Sequence, residues 1–277
     1  MAYRTILNVA RLDSGDRDLD HAIALCEPIE AHLSVLVLGV ASPPPMGDAA
    51  MGAEVWAQER QTELKRLQER VASITKFLAG SALSADVASD YPDLAAVDDV
   101  VGRQARYTDL VVVGPDLLDS EVLRPKVVEG TLFASGRPVL LLPENSRPTL
   151  RPKRVLVAWD SSLEAARAVR EALDMLVTAD DVRLVLVDPV AGETGQGAEP
   201  GADAAAYLAR HGVKVAVDRL PSSGQSVAAV LARRAADMDA ELMVMGGYGH
   251  SRLRERVFGG VTRSMLAEPP LPILMAR

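Results

Sequence analysis

The chain has 277 residues, a formal net charge of -8, and 48% of its residues in the hydrophobic set. That composition sustains packed cores and excludes a chiefly disordered, collagen-like or coiled-coil chain, and the acidic balance excludes the basic field of a general nucleic-acid binder. A single cysteine, Cys26, excludes an internal disulfide or a cysteine-based metal cluster, and four scattered histidines offer no metal-ligand spacing. No apolar run approaches the roughly 20 residues that span a bilayer, and the first fifteen residues carry charge where a signal peptide would be apolar. A soluble, cytoplasmic protein without a membrane partner is expected.

Taken in order, short β-branched runs alternate with helical patterns, as in βαβ units on a parallel sheet. Thr5–Val9 reads as a strand, Asp16–Ile29 as a helix, Leu33–Val40 as a strand, and 41–52, with three consecutive prolines, as a loop. Cys26 falls on the apolar face of the first helix and reads as an inert core thiol. The longest helix runs over Ala53–Leu78, with Leu64, Leu67, Val71, Ile74 and Leu78 on one face. A strand at Ala82–Ser89 and a helix at Pro92–Arg103 follow. Leu110–Val113 and Pro138–Leu142 are uniformly apolar, which suits a parallel sheet covered on both faces.

The stretch Pro143–Lys153, with three prolines and two arginines, reads as a linker, and beyond it the pattern restarts. Strand Arg154–Asp160 answers Thr5–Val9. It is followed by helix Leu163–Leu176, strand Val182–Asp188, the glycine-rich loop Ala191–Gly201, helix Ala202–His211, strand Val213–Val217, helix Gln225–Ala236 and strand Glu241–Met245. A helix at Val261–Ala267 and a strand at Pro272–Met275 end the chain. Asp109–Gly114 matches Glu241–Gly246 at an offset of 132, and Gly136–Leu142 matches Pro270–Ala276 at 134. Two tandem α/β units are therefore expected, residues 1–143 and 153–277, each with a five-stranded parallel sheet. A single ten-strand domain is the rival reading.

The chemistry signal lies after the fourth strand of the second unit. Gly246, Gly247 and Gly249 follow the strand's C-terminal end, where open α/β sheets bind ligands, and Gly259 and Gly260 precede the last helix. Glycine-lined strand exits and helix starts leave backbone N–H groups free for an anion, and the helix dipole adds its positive end. Neither a P-loop nor a dinucleotide fingerprint fits: no lysine stands nearby, and Arg252 occupies the place of a third glycine. The plainer reading is that these glycines only make tight turns.

At these residues the chain resembles the universal stress protein family in its tandem form. Gly246 and Gly249, the nine residues His250–Phe258, and Gly259 and Gly260 follow the spacing of its nucleotide-binding members, and Val261 and Thr262 match the continuation. The opening Trp159–Ser162 and the closing strand Pro272–Ala276 agree as well. The resemblance implies two Rossmann-like domains of the adenine nucleotide alpha hydrolase type. It further implies an ATP site, with or without magnesium, in the second. There Gly246 and Gly249 would approach the ribose and phosphates, Gly259 and Gly260 would wrap the distal phosphates, Asp160 would lie near the adenosine, and Val187 would frame the base.

Gly260 departs from the family's serine or threonine, removing one charge-assisted hydrogen bond that Thr262, Ser251 or Arg252 would have to replace. His250 is a candidate phosphate contact, and Asp160 or Ser161 a candidate helix cap with Glu164. In the first unit Leu117 stands at the place of Gly249 and Pro125 and Lys126 at that of Gly259 and Gly260, so its site reads as degenerate. The resemblance also implies an intramolecular pseudo-dimer in which Val139–Leu142 meets Ile273–Met275, and leaves a further homodimer open. The function expected is a stress-response or signalling module that holds ATP with at most slow hydrolysis. The alternative is a stress protein that acts through protein contacts without nucleotide.

Overall fold

The computed structural model describes residues 3–44, 50–192, 196–249 and 260–277. The chain divides into two compact units, Tyr3–Arg137 and Pro138–Arg277.

In the first unit the described elements are β1 (Thr5–Arg11), α1 (Arg17–Cys26), β2 (His32–Leu38), α2 (Ala50–Ala79), β3 (Ala85–Asp90), α3 (Val97–Ala105), β4 (Leu110–Val113), α4 (Pro115–Leu118) and α5 (Leu123–Glu129). The strands are parallel, in the order β3-β2-β1-β4. β4 is buried at every residue and β3, at the edge, at none, as their compositions dictate. On α2, Leu67, Ile74 and Leu78 are buried, whereas Leu64, expected on the same face, is 37% exposed. The helix begins earlier than its covered stretch, so its leading turns reach past the sheet. Cys26 is fully buried, and burial alone pushes its thiol up to about 12, so it is unreactive at neutral pH.

The second unit contains β5 (Val139–Leu141), β6 (Arg154–Ala158), α6 (Leu163–Glu171), α7 (Leu173–Thr178), β7 (Asp181–Val187), α8 (Ala202–Arg210), β8 (Val215–Leu220), α9 (Val227–Asp237), β9 (Leu242–Gly246), α10 (Gly260–Ala267) and β10 (Ile273–Ala276). Its strand order is β5-β10-β9-β6-β7-β8. Five strands are parallel, and β5 alone runs antiparallel, with Val139 opposite Met275 and Leu141 opposite Ile273. This pairing groups β5 with the second unit, so the boundary falls at 137/138, ahead of the proline-rich linker. The helix expected over Leu163–Leu176 is two helices that meet at Ala172.

The first unit carries a buried carboxylate at the exit of its fourth strand. Asp18, in the first turn of α1, is 1% exposed and accepts from the N–H groups of Asp116 at 2.7 Å and Leu117 at 3.0 Å. Both donors lie in the first turn of α4, where N–H groups have no partner within the helix. Asp116 is itself paired with Arg17 at 2.6 Å. Burial, reinforced by the charge of Asp116 and opposed by the two N–H bonds, lifts the Asp18 carboxyl from 3.8 to about 7.

A folded-state value above the unfolded one means the native state binds the extra proton. The stability this confers is whole below about pH 4 and is lost as pH rises through 7. Urea unfolding of the whole chain between about pH 5 and 7.5 should show this group's share falling with pH. Asp18→Asn should flatten that slope and lower stability at pH 5 by about 1–2 kcal/mol, since an amide offers one acceptor and turns an N–H₂ toward the second N–H. A variant with the wild-type slope would show that Asp18 does not titrate in this range.

Candidate functional site

Two strand exits build the site in the second unit. Past β6, the chain reaches Trp159 and Asp160 and turns at Ser161, which adopts φ 63°. Ser162 then caps α6, its hydroxyl accepting from Ala165 N–H at 3.1 Å. Asp160 Oδ1 accepts from Ser162 N–H at 3.0 Å, the short local bond by which aspartate stabilises turns. The cap is thus Ser162 rather than Asp160 or Ser161, because the left-handed turn at Ser161 uses one residue before the helix begins.

Past β9, Gly246 packs beneath the first turn of α6. A Cβ on Gly246 would lie 2.6 Å from Ala165 N and 2.7 Å from the Glu164 carbonyl carbon. The backbone already requires glycine here, a reason separate from the ribose and phosphate approach the sequence suggested. Tyr248 follows with φ 61°, and its N–H reaches Thr262 Oγ1 at 3.4 Å, which ties the exit of β9 to α10. A Cβ on Gly249 would meet only the ends of the Glu164 and Ser162 side chains, at 3.3 and 3.6 Å. At Gly260, the first residue of α10, it would meet nothing within 4 Å.

These segments surround a cavity of about 280 Å³. Ala158, Val185, Val187, Val227, Leu231 and Met245 supply apolar wall, Asp160, Ser162, Gln196 and Thr262 supply polar groups, and Gly246, Gly249 and Gly260 supply backbone. The structure therefore brings together Asp160, Val187, Gly246, Gly249, Gly260 and Thr262 from the sequence reading. His250, Arg252 and Gly259 lie outside the described residues, as does Ser251. Sequence reasoning missed Gln196, Val185 and Val227 as residues of the site. No local motif marks them, and only the strand order carries them to one place. Among the described residues, no group of three or more histidines, cysteines or acids could hold a metal ion.

The corresponding place in the first unit is built differently. Ile6 pairs with Leu110 as Val155 pairs with Leu242, which puts Arg11 at the position of Asp160. Arg11 donates to the Asp116 carbonyl at 3.2 Å. Gly114, at the position of Gly246, lies against Asp18, whose Cα would be 2.8 Å from an added Cβ. Leu117, at the position of Gly249, is wholly buried in α4. Pro125 lies within α5, and Lys126 pairs with Asp98 at 3.6 Å.

A doubly wound parallel sheet with a glycine-bordered crevice at the carboxyl ends of its strands defines the Rossmann-like class of ligand-binding domains. The model of the universal stress protein family matches residues 152–277, most of the second unit. A universal stress protein from Synechocystis is 27% identical over 153 residues, covering 54% of this chain and 50% of that one, so the chain spans about half the length of this relative. The crystal structure of a universal stress protein from Archaeoglobus fulgidus superposes with a TM-score of 0.68 at 16% identity, covering 98% of this chain and 96% of that one. A Pseudomonas aeruginosa protein described as functionally unknown gives 0.58 at 18% identity, covering 99% and 92%. These structures share the fold. Among the described residues, no helix is long and apolar enough to cross a membrane.

The packing at Gly246 makes a prediction about stability. Gly246→Ala should lower unfolding free energy by about 2–4 kcal/mol, because the methyl group meets backbone that cannot move without shifting α6. Chemical denaturation of the whole chain measures this, and an unchanged midpoint would show that α6 yields freely.

Proposed function

We propose that the second unit binds an adenine nucleotide, ATP, as a held ligand, and that the protein is a stress-response or signalling module with little or no turnover. The observation that carries this reading is the cavity itself. At the carboxyl ends of parallel strands, valine and leucine side chains offer an apolar wall for a base. The same cavity is bordered by Gly249, Gly260 and the N-terminus of α10, whose first-turn N–H groups suit a phosphate. Asp160 lines the same cavity and supplies a side-chain acceptor of the kind a ribose hydroxyl donates to. The Thr262 hydroxyl accepts from Tyr248 N–H and keeps its proton to donate. The match of residues 152–277 to the universal stress protein family model supports the same reading. Magnesium would enter with the phosphates, which supply oxygen ligands, since no group of three or more histidines, cysteines or acids assembles among the described residues.

Gly260 is the position that tests it. With open space around its Cβ direction and no positive φ, it accepts a side chain without strain. Isothermal titration of the whole chain with ATP should show binding. Gly260→Ser should tighten it by about two- to tenfold through an added hydroxyl donor, and Gly260→Glu should abolish it by placing a carboxylate where phosphate would sit. Circular dichroism should show all three proteins equally folded. Absence of binding by the wild-type chain and by Gly260→Ser would leave a stress protein that acts through protein contacts.

A further inference from the structure

The loop between β7 and α8 carries a side chain that the described residues do not satisfy. Gln196 lines the cavity, yet its Oε1 is buried and has no hydrogen-bond partner among the described residues. The backbone holds the residue in place: its N–H donates to the Val190 carbonyl at 3.0 Å, and Gly192 N–H donates to Gly197 O at 3.0 Å across the loop. A buried acceptor left without a donor is costly, and the remaining cavity lining from β7, α9 and β9 near it in the fold is apolar. A donor on whatever fills the cavity would remove that cost.

We infer that Gln196 is a specificity-determining residue that reads the exocyclic amino group of the bound base, so that the site prefers a 6-aminopurine nucleotide to one with no 6-substituent. The inference rests on the nucleotide reading above and deepens it. A carboxamide suits this role, because its oxygen accepts from a 6-amino N–H while its N–H₂ remains able to donate to a ring nitrogen, the pairing by which Gln and Asn recognise adenine elsewhere. A 6-oxo purine presents an acceptor instead. The amide meets it by exchanging the places of its oxygen and nitrogen, so discrimination against that group is weaker than against its absence. Gln196→Met keeps length and removes the hydrogen bond. Gln196→Glu accepts only, and cannot exchange.

The test titrates the whole chain with ATP, inosine triphosphate and purine riboside triphosphate. The wild type should bind ATP about tenfold more tightly than purine riboside triphosphate. Gln196→Met should bring ATP to within twofold of purine riboside triphosphate while leaving the latter's affinity unchanged, which also shows that the variant's site is folded. Gln196→Glu should widen the margin of ATP over inosine triphosphate beyond the wild-type value. If the wild type binds ATP without preference over purine riboside triphosphate, or if Gln196→Met retains the preference, the assignment of Gln196 is overturned and the nucleotide site stands. If no triphosphate binds the wild type, both readings fall together.

Discussion

The structure turns on one close approach, made once in each unit: the first turn of α1 packs directly on the exit of β4, and the first turn of α6 on the exit of β9. A glycine stands at each contact because no side chain fits. At Gly246 an added Cβ would meet the backbone of Glu164 and Ala165, and at Gly114 it would meet the backbone and carboxylate of Asp18. The approach locks helix to sheet at the switch point between adjacent strands of opposite winding direction, and so fixes where a crevice can open. Everything else about the two sites follows from what the chain does next.

After Gly114 comes Pro115, which suits the first position of a helix, and α4 then sets Leu117 and Leu118 over the strand ends. Its free N–H groups, at Asp116 and Leu117, are taken by Asp18. After Gly246 the chain instead runs through Gly247, Tyr248 and Gly249, none of which is helical. The strand register completes the contrast, with Arg11 in the first unit at the place of Asp160 in the second. The strand exits of the first unit are thus covered by its own side chains, whereas the described residues of the second border a cavity.

Much of this was legible in the sequence because it depends on local pattern. The uniformly apolar β4 and β9, the alternation of strands and helices, and the glycine spacing each report burial, period or turn chemistry within a few residues. The reason for Gly246 was not legible, since it depends on the backbone of Glu164, about eighty residues away in the chain. Gln196 was invisible for the same reason: a lone glutamine in a glycine-rich loop carries no signal until the sheet brings Val187, Val227 and Met245 around the same space. The cap at Ser162 was missed by one position, because a left-handed residue at Ser161 cannot be distinguished from a helical one by composition alone.

The filled crevice also clarifies what the open one requires. In the first unit, the α4 amides are met by a carboxylate tethered a short distance away, at an effective concentration no free anion reaches. That arrangement has a cost, visible in the lift of the Asp18 carboxyl to about 7, as burial outweighs the two N–H bonds it receives. In the second unit the first turn of α6 packs on Gly246 through the backbone of Glu164 and Ala165 and the Glu164 Cβ, while the Glu164 carboxylate lies beside Gly249, 3.3 Å from where a Cβ there would stand. On the proposed nucleotide reading, the base would lie against the apolar wall and the phosphates would meet the N-terminus of α10.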